Sequence, residues 1–495
     1  MNRQITRLAV VGVTLVIALV VATTYWQTWA APGLADRQDN AIQRVAEFEI
    51  QRGRILAADG TLIAGNRIKR IGGQTLYFRR YPQGRTFSHA VGYSTQVRSR
   101  AGLERSLNDY LTAANANLTT VLERTLDRIR GTTVKGNDVV LTLSTRAQRL
   151  ALQLLGNRCG AVVALDPQTG RVLVLASSPS YDPNLIEGRF NQASRAPQAE
   201  CSQPAAPLVD RATDGLYTPG STFKVVTAAA ALDTGAVRLS TTFQDPGYCE
   251  EYGRRVYNYS DQGIPSGYGT VTLLQAIQSS INSVFCNIGK EIGAGQILEY
   301  SKRFGFYSKP PVELPEDERK ASGLYRAGQP WFPDDMNKVD PGRLAFGQER
   351  LQVTPLQMAM LAGAIGHGGV VMKPHLVERV VSPTGRIVVT TKPQELGRAV
   401  SRDTAAAITE GMVAAVRSGT STAAQIPGVE VAGKTGTAES GVARVNTTSF
   451  ITFAPVGSPR VAIAVFLEEQ RGVGGTTAAP IAKAVMEALL SEART

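Results

Sequence analysis

The longest apolar run in the chain comes first. Leu8 to Trp26 is nineteen residues without a charge, preceded by Arg3 and Arg7 and closed by Tyr25, Trp26 and, just beyond, Trp29. That length approaches the ~20 residues a helix needs to cross a bilayer, and arginines before it with aromatics after it fit an inner and an outer interface. A cleaved secretory signal is the competing reading, but the apolar core of such signals is about 7 to 15 residues, and the bulky exit from Tyr25 to Trp29 disfavours cleavage. The expectation is a cytoplasmic tail at 1–7, a transmembrane anchor at 8–26 and the bulk of the chain outside.

After the anchor the pattern shortens. Residues 27 to about 50 read as a connector with a helical pattern from Asn40 to Phe48. From Gln51, Arg52-Gly53-Arg54-Ile55-Leu56, Asp59-Gly60 and Thr61-Leu62-Ile63-Ala64 predict a hairpin with its turn at Asp-Gly. Leu103 to Leu111 reads as helical, and Val139 to Leu143 as a strand leading into a helix near Thr145. Residues 27–150 carry no catalytic signature and read as a β-rich positioning or binding module.

A second unit, 151–495, opens on the apolar strands Gly160 to Leu165 and Arg171 to Ala176, joined by Asp166-Pro167-Gln168-Thr169-Gly170. Its far end repeats the texture: Val429 to Ala432, Phe450 to Ala454 and Val461 to Leu467 are strand-like, and Ala478 to Leu490 is helical. Between them lie helical patterns at Val225 to Leu232, at Leu273 to Ile288, and at Thr354 to Ile365 with Thr354 as N-cap and Pro355 in the first turn. Strands from both ends around a helical middle predict one sheet with helices on its faces, an α/β fold of the α+β type. Segments 194–207 and 308–341 are rich in Pro and polar residues and read as surface loops.

Charge sharpens this division. Residues 1–150 hold 21 Lys and Arg against 10 Asp and Glu, while the rest hold 32 against 31, so nearly all of the net +12 sits in the N-terminal third. Such a surface suits nucleic acid, an anionic membrane or an anionic wall polymer, and the anchor disfavours nucleic acid. The four cysteines, Cys159, Cys201, Cys249 and Cys286, fall in the exported part, where disulfides persist; three pairings are open, and free buried thiols remain an alternative. No C-x-x-C or clustered His/Cys spacing suggests a metal.

Three polar motifs interrupt the apolar pattern. Tyr217-Thr218-Pro219-Gly220-Ser221-Thr222-Phe223-Lys224 sets a serine and a lysine three residues apart at the opening of a buried helix, on one face. A serine hydroxyl becomes a nucleophile when a base takes its proton, and lysine serves only when burial or a neighbouring cation makes it neutral. Ser280-Ile281-Asn282 breaks the helical pattern from Leu273, presenting a hydroxyl and an amide. Gly433-Lys434-Thr435-Gly436-Thr437 continues the strand at Val429 with a cation, two hydroxyls and exposed backbone amides. Any one of these is unremarkable alone, but the three in this order define a serine acyl-transfer signature, with Ser-Ile-Asn in place of Ser-Asp-Asn.

Rival readings fail on context. Gly428 to Thr435 spells G-x-x-x-x-G-K-T, but a phosphate-binding loop needs a strand before it and a helix after it, whereas its middle residues themselves read as strand. His89, His367 and His375 lie in no motif, and no G-x-S-x-G elbow exists for a histidine-based hydrolase.

With these residues the chain resembles the class B penicillin-binding proteins, most of all the short A type of actinobacteria, from the anchor to the C-terminus. Arg52-Gly53 through Ala64, Phe346-Gly347-Gln348 and Thr354-Pro355-Leu356-Gln357 are also similar to phrases of that family. The resemblance implies a pedestal or dimerisation domain followed by a penicillin-binding transpeptidase domain with a five-stranded antiparallel sheet flanked by helices. The roughly 125 residues between anchor and second unit are too few for a glycosyltransferase, and no repeat domain is expected after Thr495. It implies a peptidoglycan D,D-transpeptidase in division or elongation, acting on stem peptides of lipid-linked precursor strands, trapped by β-lactams, and needing no cofactor. It implies Ser221 as nucleophile, Lys224 as base, Ser280 as proton relay, Asn282 holding Lys224 and the substrate, and Lys434, Thr435, Gly436 and Thr437 receiving the terminal carboxylate. The amides of Ser221 and Thr437 would form the oxyanion hole. Partners implied are a SEDS-type glycosyltransferase and division or elongation proteins. A D,D-carboxypeptidase or β-lactam-hydrolysing enzyme and a non-catalytic β-lactam sensor remain as alternatives. One departure stands out: Ser449 lies where many relatives carry tryptophan.

Overall fold

Two large sheets organise the chain, and each recruits strands from distant parts of the sequence. The computed structural model describes residues 2–26, 48–114, 125, 133–203, 205–259, 267–439 and 445–492. Apart from Phe48, the helix expected from Asn40 lies outside them.

Helix α1 (Asn2–Tyr25) contains the apolar run, and its leucines, valines and isoleucine are exposed. Thr6–Tyr25, with mean hydropathy 2.4, is long and apolar enough to cross a membrane. A helix apolar on every side with none of the described residues packed against it suits lipid.

Strand β1 (Ile55–Leu56) turns at Asp59-Gly60, where Asp59 accepts from the Thr61 amide at 3.0 Å, into β2 (Leu62–Ile71). The two pair antiparallel as the Asp-Gly signal predicts. After Gly72-Gly73, β3 (Gln74–Arg80) returns along β2. Short helices at Gly102–Ser106 and Asn108–Leu111 fill the expected helical stretch and bring Glu104 into the core. There its carboxylate accepts from Arg52 Nε at 2.7 Å and Arg79 Nε at 2.6 Å. Burial pushes the Glu104 carboxyl up, but the two guanidiniums outweigh it and hold it below the usual range. Strand β4 (Asp138–Leu141) runs parallel to β1.

Ser144 caps α2 (Thr145–Leu155) by accepting from the Ala147 amide. The hairpin of β5 (Gly160–Leu165) and β6 (Val172–Ser178) follows. A 3₁₀ turn at Gly220–Phe223 leads into α3 (Lys224–Asp233), and α4 (Leu273–Gln278) is separated by three residues from α5 (Asn282–Arg303). Thr354 caps α6 (Pro355–Gly366) as its sequence predicts. The hairpin β7 (Val377–Val381) and β8 (Ile387–Thr390) then crosses back to the N-terminal sheet, pairing Val380 with Val139 and giving the order β8-β7-β4-β1-β2-β3.

After α7 (Arg402–Ser418), strands β9 (Ala432–Glu439), β10 (Asn446–Ala454) and β11 (Val461–Gln470) join the first hairpin of the second unit. The result is one antiparallel sheet in the order β9-β10-β11-β5-β6, closed by α8 (Gly474–Glu492). Successive side chains serve opposite faces. Val163, Ala464 and Phe466 pack into the core that contains α6, whereas Val162, Ile463 and Val465 pack against α2 and α8. Burial on both faces explains why these strands read as unbroken apolar runs.

Two expectations are adjusted, and one open question is answered. The strand assigned from Val429 starts at Ala432, because Pro427 and Gly428 (φ +74°) form a tight turn that bridges Ile426 to Val429. Segment 308–341 is more than loop: it carries strands Gly323–Arg326 and Gln329–Pro330 and buries Ala321, Ser322 and Leu324. The four cysteines, whose pairing the sequence left open, are joined as Cys159–Cys201 and Cys249–Cys286. The second bond ties α5 to a hairpin of Tyr248–Glu251 and Arg254–Tyr257.

Candidate active site

The serine motif lies where the 3₁₀ turn meets the edge strand β9. Gly220 has φ +54°, and a Cβ there would stand 2.8 Å from the Thr437 carbonyl oxygen and 3.3 Å from its nitrogen, so glycine lets the turn lie against the strand. The Gly220 amide donates to Gly347 O at 3.1 Å. The α-helix itself starts only at Lys224, not at Pro219 as the sequence suggests, yet residues i and i+3 of a 3₁₀ turn eclipse. Ser221 and Lys224 therefore come to the same side. Ser221 is half-buried, and its hydroxyl makes no hydrogen bond among the described residues.

Lys224 is buried and donates to Ser280 O at 2.7 Å and to Asn282 Oδ1 at 2.7 Å, with Ser280 Oγ at 3.4 Å. Of the second motif, Ser280 lies in the break between α4 and α5 and Asn282 is the first residue of α5. Ser280 adopts φ +58°, a conformation that costs about 1 kcal/mol or more in a non-glycine residue and is sustained here by the surrounding contacts. Asn282 opens α5, and its Nδ2 donates to Tyr257 O at 3.0 Å.

Lys434 reaches the same point from β9. It is fully buried, and its Nζ donates to Ser280 Oγ at 2.7 Å and to Thr435 O at 3.1 Å. Two lysines thus flank one serine hydroxyl. Burial drives the Lys434 pKa down to about 7. Burial, and next the charge of Lys434, hold Lys224 well below the ordinary lysine value. A neutral amine has two N–H donors and one lone pair. With its donors committed to Ser280 O and Asn282 Oδ1, the lone pair of Lys224 is free to accept a proton.

The rest of the third motif lines β9. Thr435 Oγ1 bonds to Thr420 Oγ1 at 2.9 Å, and Thr437 Oγ1 accepts from the Gly474 amide at 3.3 Å. Gly436 pairs across the ladder with Ser449, and a Cβ on it would stand 2.2 Å from Ser449 Oγ. Ser449 donates to Pro219 O at 3.2 Å, so this small residue ties the strand behind the motif to the turn before Ser221.

The site has supports that motif reading missed. Asp245 is buried and accepts from Ser283 Oγ at 2.5 Å, from Asn258 Nδ2, and from the amides of Gly247 and Tyr268. Asn258 in turn accepts from the Ser283 amide at 3.0 Å. Asp245 thereby clamps the strand end at Tyr257 and Asn258 against the first turn of α5. In the sequence, Asp245-Pro246-Gly247 signals only a turn.

The sequence pattern described as the penicillin binding protein transpeptidase domain matches residues 160–487, and that of the penicillin binding protein A dimerisation domain matches 52–139. The chain belongs to the penicillin-binding protein transpeptidase family. Over 99% of its length it is 35% identical to the peptidoglycan D,D-transpeptidase PbpA of Mycolicibacterium smegmatis, all of which is covered. Among solved structures, penicillin-binding protein A of M. tuberculosis in a ceftriaxone acyl-enzyme complex matches 90% of this chain and 100% of its own, with TM-score 0.79 and 33% identity. A D,D-transpeptidase domain from Eggerthella lenta matches 90% of this chain and 99% of its own, with TM-score 0.75 and 33% identity.

Proposed function

We infer that the chain is a peptidoglycan D,D-transpeptidase, a serine acyltransferase that cross-links stem peptides with release of D-alanine and is acylated by β-lactams. The observation that carries the reading is the meeting of two buried lysines, one of them three residues after Ser221, on the Ser280 hydroxyl. The family match and the full-length relative named for this activity support it.

In the reaction, Ser221 Oγ attacks the carbonyl carbon of the penultimate D-alanine while its proton passes to the lone pair of Lys224. The oxyanion is held by the amides of Ser221 and Thr437, an arrangement worth a few kcal/mol in comparable sites. Ser280 relays that proton, giving its own to the nitrogen of the departing D-alanine as the bond to the carbonyl breaks and taking one from protonated Lys224 in return. Protonated Lys434, with Thr435, Gly436 and Thr437, receives the terminal carboxylate by charge-assisted bonds. Asn282 orients Lys224 and the substrate amide. An amine of a second stem then attacks the ester, loses a proton and returns Ser221 to its hydroxyl form.

The division of labour follows: a tail at 1–7, a single membrane span at 8–26, a linker and pedestal at 27–150 and a transpeptidase domain at 151–495. That last domain lends β7 and β8 back to the pedestal sheet. The catalytic domain faces the outside of the plasma membrane, where two disulfides suit an oxidising compartment. Glycan polymerisation falls to a separate SEDS-type enzyme engaged through anchor and pedestal, together with division or elongation proteins.

The test is incubation of the full chain in detergent with a fluorescent penicillin, then intact mass and product analysis with a stem peptide and an acceptor amine. A stable adduct on the parent chain, absent in Ser221→Ala, with cross-linked product exceeding hydrolysed peptide, is the expected result. An adduct that survives Ser221→Ala removes the nucleophile assignment, and hydrolysis alone makes the protein a carboxypeptidase.

A further inference from the structure

The distal end of the β2–β3 hairpin is used by none of the chemistry above. From Arg67 to Gln74 every residue is exposed, and the ribbon extends about 15 Å beyond Asn66, met among the described residues by Phe48 at Tyr77 and Phe78. Ile68 and Ile71 are 59% and 56% exposed there, a cost in water that the fold does not require. Around them stand Arg67, Lys69 and Arg70, with Arg80 at the base of the ribbon opposite Gly65, and no Asp or Glu occurs between Leu62 and Arg80. Lys69 Nζ lies 5.0 Å from the centre of the Phe78 ring. Arg79 differs from these four, being turned inward to Glu104.

We propose that this hairpin tip docks end-on into the anionic lipid surface of the membrane that holds α1. The proposal rests on the reading of α1 as the span and of the folded domain as lying outside. Three observations choose a lipid surface. Ile68 and Ile71 lie three residues apart on a strand and so on opposite faces of the ribbon, which one flat protein partner would not cover together but insertion of the tip would. The cations around them match an interface where apolar side chains enter and Lys or Arg meet anionic headgroups. The chain arriving from α1 joins the domain at this ribbon: the Tyr77 amide donates to Phe48 O at 2.7 Å, and the Phe48 and Phe78 rings lie 5.3 Å apart. The 21 residues between Trp26 and Phe48 reach at most roughly 70 Å, which keeps the hairpin at high local concentration over the bilayer. Docking of the tip would fix the height and tilt of the pedestal over the membrane.

The test uses the full chain carrying Gln74→Cys, labelled with an environment-sensitive dye under non-reducing conditions that keep the native disulfides. It is reconstituted in vesicles of phosphatidylcholine, with or without about one quarter phosphatidylglycerol, containing acyl-brominated lipid as quencher. The expected result is a loss of about half the emission in anionic vesicles. Quenching should be small in phosphatidylcholine alone and should fall to that level with Arg67→Ser, Lys69→Ser and Arg70→Ser together, with thermal unfolding unchanged. Emission unaffected by brominated lipid in both vesicles overturns the proposal. A probe shielded from water only when a second protein is added overturns it too, and gives the tip to a protein partner. Alkaline carbonate reads the span separately: retention of the chain supports it. If carbonate strips the chain, the anchor reading falls, while quenching recorded before stripping still decides for the tip.

Discussion

Lys224 Nζ donates to Asn282 Oδ1 over 2.7 Å, and the same amide donates from Nδ2 to the backbone of Tyr257. Asn282 is therefore a neutral acceptor that orients Lys224 without favouring its charge. Asn282→Asp puts a carboxylate in that place, which favours the charged lysine. The acid limb of β-lactam acylation should move up by about one to three pH units, with little change in melting temperature. Stopped-flow acylation across pH checks this, and an unmoved limb would show that Lys224 is not the titrating base.

Ser221 and Lys224 act as one unit in the proposed chemistry, so their losses should not add. Ser221→Ala, Lys224→Ala and the double variant should each fall by about ten-thousandfold or more, to one common floor. Consumption of a stem-peptide substrate measures it; a double variant much below both singles would mean that the two residues act in separate steps.

The two lysines predict a bell-shaped pH profile for the second-order acylation rate. Lys224 must be neutral, and burial together with the charge of Lys434 lowers its pKa, so the rate rises with pH as it loses its proton. Lys434 must be charged to receive a carboxylate, and in the free protein it loses its proton as pH rises through about 7, so the rate falls beyond that. Saturating carboxylate-bearing substrate should carry the alkaline limb upward, because the bound anion favours the charged lysine.

Asp245 supports the site from behind. Burial pushes its carboxyl up, but bonds from Ser283, Tyr268, Gly247 and Asn258 outweigh this and hold it below the usual aspartate range. Its contribution to stability is therefore present above about pH 4 and lost as acid protonates it. Asp245→Ala should lower stability by about 2 kcal/mol and also slow acylation, since the Tyr257 acceptor for Asn282 is released. Thermal melts and acylation rates on one preparation check both; a stability loss with acylation unchanged would confine Asp245 to a structural role.

Much of this protein was legible one segment at a time. The uncharged run from Leu8 to Trp26, the Asp59-Gly60 hairpin, the Thr354 cap and the apolar strands at both ends of the second unit are local records of backbone preference and burial period. The elements they predict are there. The three motifs were legible too, because each needs particular side chains at short fixed spacing.

Other features are set by contacts between residues far apart in sequence, for which local pattern has no register. Val139 pairs with Val380, so the N-terminal sheet depends on a hairpin that the sequence order assigns elsewhere. Cysteine spacing left three pairings open until the fold brought Cys249 to Cys286. Asp245 shows only a turn signal, and becomes a clamp because Ser283 and Asn258 arrive from other elements. The lowered pKa values of Lys224 and Lys434 belong to this second group. A lysine in sequence is an ordinary base, and only the convergence of α3, α5 and β9 removes the water that would keep both charged.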